Sequence, residues 1–253
     1  MQSNARLLTG VKIDKSRLSA RLDRLRNASV KQVGIAFSES ILNIESNLKL
    51  PHALMDRTMA LMAVTQRLNE LRQRQPNLTD EEIVDRFAGG IWDEVTENSA
   101  SRAHFKKAAF QELESLLKQS DLLREAVKSM LRSNVALAWS AFECLAEDLA
   151  QAKNKHGSKL GFRSLDSIRK SYAIIFGNNP KLARILGRRN LRTLEQIRHV
   201  VMHKGGRVDA AFIQKTGRKL KPGKRLVLTA SAVSRHTNAA ISAGIGLLRF
   251  CDL

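Results

Sequence analysis

Met130-Leu131-Arg132-Ser133-Asn134-Val135-Ala136-Leu137-Ala138-Trp139-Ser140-Ala141-Phe142-Glu143-Cys144-Leu145 is nearly apolar around its whole circumference. A helix with no polar side belongs in the middle of a packed protein. Glu143, within this stretch, and Asp148, just beyond it, would be costly there without partners, so either can pair with a basic residue of the C-terminal segment. The alternative, a carboxylate facing solvent, suits Asp148 better than Glu143.

Around this core the sequence reads as helix from about Arg102 to Lys153, with a break near Ser120. Towards the N-terminus, Leu18, Leu22 and Leu25, then Val33, Phe37, Ile41, Ile44 and Leu48, recur at helical spacing, predicting one or two amphipathic helices that Pro51 ends. A helix over Ala53 to Gln73 follows, then a turn at Gln75-Pro76-Asn77-Leu78. Thr79-Asp80-Glu81-Glu82 has the side-chain order of a capping box opening another helix. Gly89-Gly90 predicts an interruption, and a mixed segment spans Trp92 to Ser101. On the C-terminal side, Gly157 to Gly161 reads as a loop, Ser164 to Phe176 as a short helix and Gly177-Asn178-Asn179-Pro180 as a turn. A helix over Leu191 to Met202 stops at Gly205-Gly206. Asp209 to Lys215 adds a helical turn, Arg218 to Lys224 an exposed basic loop, and Leu226-Val227-Leu228-Thr229 a short β-prone run. A helix rich in small residues, Ser231 to Phe250, closes the fold.

The composition agrees with a helical protein. Of 253 residues, 43% are hydrophobic, enough for a substantial core, while aromatics are only 5% and prolines number four. The net charge of +19 exceeds what solubility needs and points to a polyanionic partner. It is concentrated: Arg184 to Arg225 holds thirteen basic residues against Glu195 and Asp209, contributing +11. Two cysteines, Cys144 and Cys251, are too few for a disulfide framework or a thiolate metal site. Met1 to Gly10 lacks an apolar stretch of signal-peptide length, and Ala239 to Leu248 is too short to span a bilayer. The expectation is a soluble cytoplasmic protein with no membrane partner.

The basic segment contains Arg198-His199-Val200-Val201-Met202-His203-Lys204-Gly205-Gly206-Arg207-Val208-Asp209. Arginine grips phosphate with several donors and a permanent charge, and imidazole, with an ordinary pKa near 6.5, moves protons at neutral pH. Together they are a minimal set for metal-free RNA cleavage. An arginine and a histidine at this spacing arise readily by chance, so the longer string through Lys204 to Phe212 and the apolar helix before it carry the reading.

With those residues in hand, the chain from about Arg132 onward resembles the HEPN superfamily, whose helical domains carry an Arg-x4-6-His motif with a polar residue after the arginine, the place His199 takes here. Leu131 to Leu149 looks like the long first helix of such domains, and Arg198 to Phe212 like their motif helix and following turn. The resemblance implies an all-α fold: a multi-helix bundle with an HEPN-like domain over 111–253, additional N-terminal helices over 1–110, and at most one very short β segment. It further implies a homodimer that brings two Arg-His pairs into one cleft, with metal-independent endoribonuclease activity in many members and RNA-binding or interaction roles alone in others. In one subgroup a tyrosine two residues after the motif histidine receives a nucleotide; here that position is Gly205.

In this reading Arg198 holds the phosphoryl oxygens, His203 is general acid and base for attack by the ribose 2′-hydroxyl, and His199 either joins them or supports the arginine and the fold. The product is a 2′,3′-cyclic phosphate. Arg188, Arg189, Arg192, Lys204 and Arg207 are expected on RNA phosphates. Five helical residues turn about 500°, leaving Arg198 and His203 roughly 140° apart, so either the helix loosens near Gly205 or a dimer supplies the two groups from different sides. His199 and His203 share a face at a spacing that would also suit a metal. No glutamate follows His199 and no third ligand is evident, so neither a metal nor another cofactor is expected. An RNase of this kind endangers its host, which suggests by analogy a toxin or antiphage role with an antitoxin or regulatory partner.

Overall fold

The structure is a computed structural model describing residues 7–97, 99–154 and 160–252. It is all-α, with ten helices among the described residues: α1 Lys15–Leu22, α2 Ala28–Arg74, α3 Asp80–Glu97, α4 Ser99–Gln119, α5 Asp121–Lys153, α6 Leu165–Phe176, α7 Pro180–Leu186, α8 Arg189–His203, α9 Ala210–Thr216 and α10 Ala230–Cys251. The β-prone run at Leu226 forms no strand there; an isolated bridge joins Arg207 and Arg225. The start of Met1 to Gly10, residues 1–6, and most of the loop expected at Gly157 to Gly161, residues 157–159, lie outside the described residues.

Packing divides the chain differently from a linear split at 110. One compact unit contains 49–124; the other combines 6–48 with 125–253. The reason lies in hydrogen bonds that tie the N-terminal segment to α10. Ala230 donates its amide to the Leu7 carbonyl, Lys12 N–H donates to Ser234 Oγ, and Asp14 N–H donates to Asn238 Oδ1. At the other end of α10, Asp252 Oδ1 accepts from the amides of Arg26 and Asn27, just before α2.

In the first unit, Ala60 and Val64 of α2 cluster with Val95 of α3, with Ile91 and Trp92 packed alongside. The Arg57 guanidinium lies 4.2 Å from the Trp92 ring centre. Two expected breaks are absent here. Pro51 lies inside α2: it forfeits the hydrogen bond to the Asn47 carbonyl, but buried Ile44 and Leu48 before it and Ala60 and Val64 after it hold both arms of the helix. Gly89-Gly90 lies inside α3, because a helical glycine costs only about 1 kcal/mol against alanine, which the packed flanks Ile83 and Val95 override. The capping box forms as read, with Thr79 N–H donating to Glu82 Oε2 at 2.8 Å and Glu82 N–H to Thr79 Oγ1 at 3.3 Å. Ser120 separates α4 from α5 and caps the latter through the Leu123 amide.

The second unit is built on α5. Leu131, Val135, Ala138, Trp139, Phe142, Leu145 and Leu149 are buried, but Ser133, Leu137, Ser140 and Cys144 form an exposed stripe. The expectation of an all-round buried helix is corrected accordingly: two serines, a leucine and a cysteine fit a core as readily as a surface, so the sequence alone hides this face. α10 comes so near α5 and α2 that a Cβ on Gly244 would lie 2.8 Å from both Leu145 Cδ2 and Phe37 Cε1. α8 packs against α10 and α9 and buries Leu191, Leu194, Ile197 and Val200, and its Glu195 Oε1 accepts the Leu165 amide at the start of α6. α7 was not foreseen; Asn179 caps it from what reads as a simple turn.

His236, on the inner side of α10, holds the basic loop after α9 through Arg218, whose Nη2 lies 3.3 Å from His236 Nε2. Burial, aided by the charges of Arg218 and Arg235, pulls the imidazole down to about 4. Unfolded, the ring titrates near 6.5. The folded state therefore keeps this contribution above 6.5 and loses it as the pH falls from 6.5 to about 4. Urea unfolding of the wild type and His236→Gln at about pH 7.5 and about pH 4.5 should show the wild type losing the greater share of its stability on acidification. Equal losses would contradict the buried neutral ring.

Candidate functional site

α8 carries the motif and stays regular to its end. His203 is its last residue, and the Val200 carbonyl accepts the amides of both Lys204 and Gly206. Gly205 and Gly206 follow with φ of +56° and +77°, conformations that favour glycine. Arg207 Nη1 donates to the Gly223 carbonyl and Leu226 N–H to the Gly206 carbonyl, which fixes the turn against the basic loop. A Cβ on Gly206 would lie 3.3 Å from Arg132 Cδ, so the stem of an α5 arginine fills the space beside the turn.

Because the helix does not loosen, Arg198 and His203 remain roughly 140° apart around its axis. Arg198 turns inward to α5. Its Nη2 lies 4.0 Å from Glu143 Oε2, and both side chains are largely covered, 27% and 18% exposed. Trp139 Nε1 donates to the same carboxylate oxygen at 2.8 Å. The expected pairing of Glu143 with a C-terminal basic residue is thus found, and Asp148 is exposed. His199 and His203 lie on the outer side, both exposed, with ring centres 5.0 Å apart. No cluster of three His, Cys, Asp or Glu suited to a metal occurs among the described residues.

The five basic residues expected on RNA phosphates fall into different places. Lys204 and Arg207 are exposed beside His203, and Arg192 is exposed further back along α8. Arg188 and Arg189 sit at the opposite end of the helix, about 21 Å from His203 along the axis, in a cleft of about 630 Å³. They do not share a phosphate with His203 of the same chain. Sequence reasoning missed Trp139 as a partner of Glu143, because an indole in an apolar stretch reads as core, and missed Arg132 beside the turn, which stands far upstream of Gly205-Gly206 in the sequence. No family model, curated protein or solved structure matches this chain. No described helix is long and apolar enough to cross a membrane.

Glu143 and Arg198 touch at the limit of ion-pair distance and keep some solvent, so their coupling should be small. A double-mutant cycle on Glu143→Ala and Arg198→Ala, read by chemical denaturation, is expected to give about 1 kcal/mol or less. A coupling several times larger would mean that the pair is a rigid structural lock.

Proposed function

We propose that the protein is a homodimeric, metal-independent endoribonuclease of HEPN type, in which Arg198 stabilises the phosphorane and His203 transfers protons. The observation that carries this reading is the end of α8: an exposed histidine pair opening on a basic turn, on the same helix as an arginine that faces Glu143. Lys204 and Arg207 supply charge for the RNA backbone next to His203. Within one chain the two motif residues diverge, so convergence on a scissile linkage requires the second subunit's helix to bring its own pair. The guanidinium then gains interaction energy as charge builds on phosphorus, which is the condition for rate acceleration. His199, one turn from His203, orients or assists it. A restraining antitoxin or regulatory protein fits such an activity by analogy alone.

One observation favours a second reading, a non-catalytic RNA-binding or protein-interaction module. Arg198 already faces a carboxylate of its own chain, away from the histidines.

Cleavage of labelled RNA in excess chelator separates the two. With the catalytic reading, the wild type yields 2′,3′-cyclic phosphate ends, while His203→Ala and Arg198→Ala lose cleavage by about a hundredfold or more. His203→Ala should retain RNA affinity. Intact RNA with wild-type protein assigns the module instead, and cleavage by both variants at the wild-type rate would remove Arg198 and His203 from the chemistry. Binding weakened similarly for all sequences by Lys204→Ala or Arg207→Ala, with a shallower salt dependence, would mark those residues as phosphate contacts.

A further inference from the structure

The cleft at the other end of α8 is built from three parts of the second unit: the segment before and into α1, the N-terminus of α8 and one face of α10. Five cations line it: Lys12, Arg17, Arg188, Arg189 and Arg235. One carboxylate approaches them, Asp14, 3.6 Å from Arg17 Nη1. Arg188 Nη1 is held by Ser242 Oγ, and a Cβ on Gly217 would lie 3.3 Å from Arg189 Nη2. The main chain is shaped to form the cleft as well. Gly10 has φ +75°, and a Cβ there would lie 3.1 Å from Ser231 Cβ, so this glycine lets the N-terminal segment close against α10. Asn238 fixes the same segment from both sides, accepting from Asp14 N–H and donating to the Lys12 carbonyl.

Five positive charges converging on one concavity repel each other, and a multiply charged anion relieves that repulsion. The size of the cleft matches a nucleotide-sized ligand rather than a polymer track. Its lining contains no aromatic ring, so it offers no platform for a base, and its donors are suited to phosphate oxygens. RNA carries one charge per nucleotide along its length, whereas an oligophosphate concentrates several in one small volume. At the N-cap of α8, Arg188 gives no side-chain capping bond, and Leu191 N–H turns back to the Arg188 carbonyl at 3.1 Å, so the Arg188 guanidinium stays with Ser242 at the cleft rather than with the helix end.

We propose that this cleft is a binding site for a compact oligophosphate group, borne by a nucleoside triphosphate or by free tripolyphosphate, and separate from the Arg198–His203 end of α8. Titration calorimetry of the full chain with tripolyphosphate at physiological salt should show saturable binding, with a rise in Tm. ATP binding equally while adenosine fails to compete would identify the phosphates alone as the ligand; adenosine competition would overturn a phosphate-only site. Lys12→Ala combined with Arg235→Ala should weaken tripolyphosphate binding at least tenfold. Ser231→Glu, an exposed change that places a carboxylate in the cleft, should abolish it with the helical circular dichroism retained. His203→Ala should bind tripolyphosphate like the wild type, so this result is independent of whether the chain cleaves RNA. No binding, equal binding by the cleft variants, or displacement by an RNA oligonucleotide lacking terminal phosphates would overturn the proposal.

Discussion

The close approach of α10 to α5 and α2 is the constraint on which the second unit rests. At Gly244 there is no room for a side chain, with Leu145 and Phe37 both already within 2.8 Å of where a Cβ would lie. That proximity buries the apolar faces of three helices together and gives α8 a fixed wall to pack on. Once Ile197 and Val200 occupy that wall, Arg198 is turned to Glu143 and the histidines are turned out. The orientation of the motif is therefore decided by apolar packing rather than by the polar residues themselves.

α8 consequently acts as a spacer with a different chemistry at each end. Its C-terminal end presents His199, His203, Lys204 and Arg207 around a glycine turn, and its N-terminal end contributes Arg188 and Arg189 to a cleft completed by Lys12, Arg17 and Arg235. A count of charge along the sequence merges these into one basic segment. In three dimensions they are two electrostatic features, each with its own concentration of positive potential.

Much of the fold was legible because it depends on local signals. The capping box at Thr79, the break at Ser120, the glycine stop after His203 and the closing helix over Ser231 to Phe250 all arise from neighbours in sequence. Pro51 and Gly89-Gly90 misled because local helix-breaking costs were outweighed by contacts with residues distant in sequence. The exposed stripe of α5 was hidden because its two serines, leucine and cysteine would suit a core equally well. Of the candidate site, the partnership of Glu143 with a basic residue of the C-terminal segment followed from charge and burial, while the roles given to Arg198 and His203 rest on their motif alone. The cleft did not follow, since Lys12 and Arg235 are more than two hundred positions apart and are brought together by the hydrogen bonds and packing between the N-terminal segment and α10.

Those bonds also set an order of events during synthesis. Residues 7–48 need α10 as their packing partner, and the whole of the other unit is made between them. A growing chain can assemble the intervening helices early, but α1 must wait, its apolar side uncovered, until α10 has been made. Until then this segment is a ready target for holdase chaperones, and the N-terminal end of α8 lacks the cleft walls that Lys12 and Arg235 complete.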